Sequence, residues 1–486
     1  MSDLRLKLRQ AQATRRAHKT ARNVRRRDHR DERELERAGR EDPLLIRVVN
    51  QWWSRLIAFA YGGTASAQTE QYAAHSTKRD YVWNSVGLAA WSLVFPLLTV
   101  IATQLKGVED AGRLSLAFVV GNLLLWLANY GARTYQVSDV YEDHTFNDYQ
   151  IQRVLVCVLM MIVGVGWCGV HGYDLAMTQI CLGVFAFRAV DGLADVYEGR
   201  LQQMDKLYLA GISQAVRSVL GMVAFGLVLL ITGSLPFASI GFAVGGLASF
   251  FLLTLPLTLL ETPRSDRWSV RQVTAIFVNC FPVFMALFLY ALIDSMPKFA
   301  MEGVLSYDNQ LYFNAMYFPA HAILTVANVI YKPQLVRLAN LWVDPNGRKR
   351  FDLLVFAMLG VIVLITVLMA LFMGWAGIGL LSTMYGVDFQ QFGLLVFLMV
   401  LAGGVCAGIE FLYQIITVLR QQRQVMRIYL IAAVASVPTC IILVRLFGLP
   451  GAVWANLLVM LALFVLLCIQ YVRMRTRPEP VAEYDL

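Results

Sequence analysis

The chain has 486 residues, of which 58% are apolar and only 15% charged, where a soluble globular domain carries about 25% charged residues. The formal charge of +9 is unevenly placed: residues 1–80 hold 18 Lys/Arg and 10 Asp/Glu, so the basic balance belongs to an arm rather than to a nucleic-acid-binding surface. All seven cysteines fall inside apolar runs with no CxxC spacing, which excludes a disulfide framework and a thiolate metal site and reads as small apolar filler.

Along the chain, the arm divides at Pro43. Residues 1–42 are Arg-rich with almost no apolar face and are expected to be disordered or a solvated helix. Residues 44–61 place Leu45, Val48, Val49, Trp52, Trp53, Leu56, Phe59 and Ala60 on one helical face, with Arg47, Asn50, Gln51 and Ser54 opposite. That pattern suits either a helix lying in the membrane interface or one packed on the protein's own surface. No cleavable signal peptide is expected, because the first apolar stretch lies deep in the chain.

A membrane helix needs roughly 20 mostly apolar residues. By that rule spans fall near 83–104, 112–130, 154–170, 174–197, 209–231, 235–260, 273–293, 310–331, 352–373, 390–419, 428–447 and 451–472. Twelve spans put both termini on one side. Even-numbered loops and the C-terminal tail carry 18 Lys/Arg, odd-numbered loops and their edges four, which predicts cytoplasmic N and C termini. Spans three, six, nine and twelve are nearly pure hydrocarbon, and the others carry the polar groups. This periodicity predicts an all-α polytopic protein of two six-helix lobes. Residues 1–80 are the arm, 81–260 the first lobe, 261–272 a cytoplasmic inter-lobe loop, 273–475 the second lobe and 476–486 the tail.

Ionisable residues within spans mark candidate sites, since an Arg or Asp at a helix centre costs about 2.5–3.5 kcal/mol on insertion scales. In span four, Arg188, Asp191, Asp195 and Glu198 stand at offsets of three, seven and ten and share a face. Arg217, His321 and Glu410 stand alone in their spans. Counted inward at about 1.5 Å per residue, Arg188, Arg217, His321 and Glu410 lie roughly 12–16 Å deep. One reading is a cavity with Arg188 and Arg217 as anion-binding cations, and with Asp191, Asp195, Glu198, His321 or Glu410 as countercharges or proton carriers. The plainer alternative is a structural Arg188–Asp191 or Arg188–Asp195 pair that holds helices together. Arg217 favours function, because no acid lies one turn away in its own span. Pro96, Pro282, Pro319 and Pro438 interrupt spans one, seven, eight and eleven, a pattern also ordinary in membrane helices.

No GxxxxGK[ST], GxSxG or His/Cys cluster occurs, and no filter-like repeat. No cofactor or metal is therefore expected, and secondary transport, or passage driven by the membrane potential, rather than an enzyme remains.

The stretches NSVGLAAWSLVFPLLTVIATQLKGVEDAGRLSLAF (84–118), GARTYQVSD (131–139), DGLADVYEGRLQQMDKLYLAGISQAVRS (191–218) and DSMPKFAMEGVLSYDNQLYFNAMYFPAHAILTVANVIYKPQL (294–335) are similar to those of polysaccharide flippases. These belong to the multidrug/oligosaccharidyl-lipid/polysaccharide exporter superfamily. The resemblance covers roughly residues 81–475 and implies two lobes around a central cavity, alternating access and an undecaprenyl-diphosphate-linked glycan as substrate. It implies a cationic patch, here Arg188 and Arg217, with Arg133 at the cytoplasmic entrance and Lys298 of the Pro297–Lys298 pair at the exit. A bacterial cytoplasmic membrane is the implied location, with a polysaccharide polymerase as candidate partner, membrane lipids as partners of the basic arm, and no nucleic acid. The Arg-rich arm departs from the family core, and three acids in span four make that lobe less cationic than a simple diphosphate site. An ion-coupled drug or small-solute antiporter of the same superfamily is the alternative. A membrane-embedded glycan polymerase or ligase is a third reading, disfavoured by the scarcity of candidate catalytic groups on the outer loops.

Overall fold

A computed structural model describes residues 69–139, 143–262, 265, 268–331, 338, 348–418 and 422–476. The basic arm 1–42, the expected amphipathic helix 44–61, much of the loop 261–272 and the tail beyond Thr476 lie outside the described residues. Two compact units divide at Ala74–His75, and the second holds the membrane-crossing segments from Arg79 onward.

Among the described residues the chain is helical: α1 (Thr69–Lys106), α2 (Val108–Asn129), α3 (Ala132–Ser138), α4 (Phe146–Val170), α5 (Leu175–Gln203), α6 (Leu207–Thr232), α7 (Leu235–Ser249), α8 (Leu255–Glu261), α9 (Val270–Met301), α10 (Tyr307–Tyr331), α11 (Arg348–Phe372), α12 (Ile378–Tyr385), α13 (Gly393–Val418) and α14 (Gln422–Thr476). A π turn over Phe250–Thr254 joins α7 to α8. It lies where the ring of Pro256 would strike the carbonyl one turn back in an unbroken α-helix. A second π turn, Met373–Gly377, joins α11 to α12.

Ten described segments are long and apolar enough to cross a bilayer. One of them, Gln424–Met474, has 51 residues, which at 1.5 Å each is about 76 Å, far beyond a hydrocarbon core of about 30 Å. Its backbone leaves the helical region at Gly448 (φ 63°, ψ −135°), so it crosses twice. With α5, whose charges keep it off that set, the crossings number about twelve, in two lobes of six.

Lipid contact is written on the surface. Leu353, Phe356, Val363, Leu364, Leu368 and Leu371 of α11 are exposed, and only 17% of the apolar stretch containing α11 is buried, against 78% for that containing α2. Exposed apolar area on this scale belongs in hydrocarbon. α2 is the central helix, packed on α5 and α4 in its own lobe and on α9 and α10 of the other.

The third crossing starts earlier than its apolar run implies. Thr145 accepts from the Asp148 amide while the Asp148 carboxylate accepts from the Thr145 amide, a reciprocal cap that starts α4 at Phe146. Arg153, assigned by hydropathy to a loop, therefore lies inside the helix and is fully buried.

Small residues set the close approaches. A Cβ on Gly211 of α6 would lie 2.3 Å from the Trp83 carbonyl oxygen of α1, and one on Gly183 of α5 would lie 2.5 Å from the Ser239 carbonyl carbon of α7. Between lobes the tightest approach is at Gly112 of α2, where a Cβ would lie 2.0 Å from the Tyr307 carbonyl oxygen. Nearby, Thr99 and Tyr385 hydroxyls lie 3.2 Å apart and Gln104 Nε2 donates to the Met384 carbonyl at 2.9 Å. The lobes thus meet closely at the end carrying Gly107 and Glu302. At the opposite end, Asn279 Nδ2 of α9 donates to the Tyr135 hydroxyl of α3 at 3.0 Å, and the Tyr130 ring stacks on Phe284 at 4.5 Å.

Candidate functional site

The acids and Arg188 that share one face of α5 form the spine of a buried network in the first lobe. Arg188 Nη1 donates to Asp191 Oδ2 at 2.8 Å, and Trp91 Nε1 of α1 donates to the same oxygen at 3.1 Å. Arg217 of α6 reaches across with Nε to Asp191 Oδ1 at 2.8 Å and Nη1 to Glu198 Oε1 at 2.6 Å. Ser213 Oγ also donates to Glu198 Oε1, at 3.0 Å. Asp195, between them in sequence, turns to the other side. It accepts from Arg133 Nη1 of α3 at 3.0 Å and from Arg153 Nη2 of α4 at 2.8 Å. Arg133 is further fixed by Gln202 Oε1, and Arg153 by the Ala128 carbonyl at 2.6 Å.

Four guanidiniums therefore meet three carboxylates in a region contributed by α1, α3, α4, α5 and α6. Most of it is dry: Arg153, Arg188, Arg217 and Glu198 are each 2% exposed or less. Arg133, with 29% of its side chain exposed, and Asp195, with 17%, form the wetter edge. Arg188 Nε, also buried, has no hydrogen-bond partner, and its guanidinium lies 5.2 Å from the Trp91 ring and 5.4 Å from the Phe118 ring. Buried charges of this kind persist only when paired, and here the pairing leaves one positive charge in excess.

The structure thus brings together six of the sequence-derived candidates: Arg133, Arg188, Arg217, Asp191, Asp195 and Glu198. Arg217 has no acid in its own helix, and the neighbouring helix supplies two. Three members, Trp91, Arg153 and Ser213, were not among the candidates. The signal for Arg153 was the Thr145-x-x-Asp148 pattern, which starts a helix eight residues before the apolar run. Trp91 carried none, since an indole in an apolar span reads as core.

Lys298 lies elsewhere. On the last turn of α9 it donates to Asp294 Oδ2 at 3.1 Å, and its ammonium sits 4.7 Å from the centre of the Tyr317 ring. Tyr317 of α10 donates its hydroxyl to Asp294 Oδ1, and the exposed His321 ring meets Tyr317 edge-on at 4.7 Å. Asp294 escaped the sequence reading because it falls one residue past the apolar run. Glu410 of α13 is in a third place, accepting from Asn328 Nδ2 at 3.1 Å, while Tyr331 donates to Asn328 Oδ1 at 2.7 Å. Among the described residues no three His, Cys, Asp or Glu side chains converge as metal ligands.

No family model and no curated protein matches this chain by sequence. Its structure resembles several solved transporters. The lipid II flippase MurJ in an inward closed conformation aligns with a TM-score of 0.64 at 12% identity, covering 80% of this chain and 87% of that one. An inward-facing multidrug-resistance MATE family transporter of the MOP superfamily aligns at 0.59 with 11% identity, over 82% of this chain and 100% of that one. A MOP superfamily transporter from Pyrococcus furiosus, described as having a binding pocket of reverse polarity, aligns at 0.56 with 13% identity, over 82% and 95%. At these identities the likeness establishes the fold: a multi-pass membrane protein built like the MOP superfamily transporters and flippases.

Proposed function

We propose that this chain is a flippase that carries an undecaprenyl-diphosphate-linked oligosaccharide from the inner to the outer leaflet of a bacterial cytoplasmic membrane by alternating access, with both termini cytoplasmic. The observation that carries the reading is the buried cationic surplus in the first lobe: four arginines against three carboxylates, with Arg188 Nε unpartnered. A diphosphate headgroup supplies the anionic acceptor oxygens that such guanidiniums recognise. Arg133, at the wetter edge, is the first cation of the network that a headgroup would meet. Lys298 of the second lobe, held by Asp294, is the cation at the exit.

The driving force follows from charge. Each negative charge leaving an inside-negative cell gains about 2.3 kcal/mol per 100 mV, so a diphosphate is assisted outward without nucleotide hydrolysis. The fold shared with a lipid II flippase supports a lipid-linked glycan as the cargo class, and a polymerase acting on the flipped glycan is the corresponding partner. The competing reading, an ion-coupled antiporter for drugs or small solutes, draws on the MATE likeness and on the carboxylates of α5.

The test is the leaflet distribution of lipid-linked oligosaccharide after depletion of the protein, read by labelling sugars in intact and permeabilised cells. Glycolipid labelled only after permeabilisation supports flipping. An unchanged distribution, in a strain shown to have no substituting flippase, refutes it.

A further inference from the structure

At the end of the bundle assigned to the outside by charge, a chain of hydrogen bonds runs from one lobe to the other. Trp167 Nε1, in the last turn of α4, donates to the Tyr173 hydroxyl at 3.2 Å. Tyr173, in the α4–α5 turn, donates in its turn to Oε1 of Glu302, the residue that ends α9. The Trp167 ring also lies 5.2 Å from the Phe299 ring of α9, and His171 stacks on Trp167 at 4.4 Å. A single carboxyl group thus closes an aromatic clasp between lobes.

No salt bridge to Glu302 is found among the described residues. The titratable groups around it are His171 and Tyr173 from the turn, Cys168 from α4, Cys181 from α5 and Tyr307 from α10. Arg113 of α2 is engaged nearby, 3.0 Å from Glu109, 3.9 Å from Asp174 and over the Tyr307 ring. A half-buried carboxylate packed against rings, with no salt bridge among the described residues, is held at a cost that shifts the balance toward the neutral acid. Burial accordingly pushes the Glu302 carboxyl above its ordinary range, with the Tyr173 hydrogen bond and His171 offsetting only part of the rise.

We propose that Glu302 is a proton-binding site whose occupancy closes the clasp between the lobes, so that acid on the outer side favours the state sealed to the outside. The closed clasp half-buries the carboxyl and binds a proton more tightly than the open state, in which the carboxyl meets water more fully. By linkage the proton stabilises the closed state, and raising the pH through the shifted range favours opening. This rests on the alternating-access reading given above, and within it an external proton drives the emptied carrier back to its inward-facing state.

The experiment places spin labels on cysteines introduced at Leu175 and Val304, which are 75% and 45% exposed, after replacement of the native cysteines, with the full chain in lipid nanodiscs and no substrate. A short inter-label distance is expected to dominate at acid pH, with the closed-to-open ratio falling up to about tenfold per pH unit between the two states' ionisation ranges. Glu302→Gln should hold the short distance at both ends of the range. Tyr173→Phe should populate the long distance at both, and His171→Asn should leave the response in place. Distances insensitive to pH, a response that survives Glu302→Gln, or one abolished by His171→Asn would each overturn the assignment. Because no substrate is present, failure of the flippase reading in the leaflet assay leaves this result standing on its own.

Discussion

Replacing Arg217 with methionine strips one guanidinium from two carboxylates at once. The consequences are unequal. Asp191 retains Arg188 at 2.8 Å and Trp91 at 3.1 Å, whereas Glu198 retains only Ser213 at 3.0 Å and the Arg133 guanidinium at 3.8 Å. The loss therefore concentrates on Glu198, a carboxylate 2% exposed. Removing one partner of a buried pair costs about 3–5 kcal/mol. Pairing the change with Glu198→Gln removes the stranded charge, so the double variant should recover roughly 2–3 kcal/mol of that loss as a coupling energy. Unfolding of the wild type, both single variants and the double variant in lipid nanodiscs measures it. Strictly additive losses would refute the contact and with it the network as drawn. The same double variant, put through the leaflet assay that tests the proposed function, decides what Arg217 is for: a stable protein that fails it makes Arg217 a binding cation, and one that passes makes it a strut.

Gly112→Val should abolish transport while leaving folding within about 1–3 kcal/mol of wild type, because the 2.0 Å approach to Tyr307 is relieved by parting the lobes; labels across that end should move apart. Gly211→Val meets the Trp83 carbonyl oxygen at 2.3 Å inside one lobe, where no such movement offers relief, and should lower folded yield instead. Asp294→Ala strands the buried Lys298 ammonium at about 3–5 kcal/mol; the double change with Lys298→Met should restore most of it, measured by the same unfolding assay. At the α3–α4 loop, burial raises the Asp139 carboxyl, but the His144 hydrogen bond and two backbone amides outweigh it and hold it below its ordinary value of 3.8. The stabilisation is present above that value and lost as pH falls through the lower folded one. Asp139→Asn should therefore weaken the protein at neutral pH and flatten its stability profile below about pH 4.

Hydropathy located every crossing, because twenty apolar residues in lipid have few alternatives to a helix. For α5 the apolar run near 174–197 is long enough to read as a span, although Arg188, Asp191, Asp195 and Glu198 keep the helix off the set that crosses on composition alone. What hydropathy missed were groups at the margins of apolar runs. Arg153 lies one residue before its run and Asp294 one residue after, and in both cases helix and burial extend beyond the hydrocarbon-like stretch. The partners of Arg217 were likewise hidden. Periodicity ranks residues on one helix, and nothing in it says which face of α5 turns toward α6. The basic arm, the most conspicuous feature of the composition, lies outside the described residues.

The network has a consequence for how the protein is made. α5 is not among the segments apolar enough to enter a bilayer on composition alone, and Glu198 finds its closest partner in Arg217 of α6, which leaves the ribosome later. Until Arg217 arrives, α5 carries in Glu198 an acid without its closest partner, which hydrocarbon rejects. Arg153 of α4 and Arg188 of α5, already synthesised, can neutralise Asp195 and Asp191, but Glu198 is left with Arg133 at 3.8 Å. The fourth and fifth crossings must therefore enter the membrane as a pair. In a nascent chain halted between Gln203 and Leu207, α5 should stay accessible to a water-soluble thiol probe although the earlier crossings are integrated, and in one extended past Thr232 it should be protected.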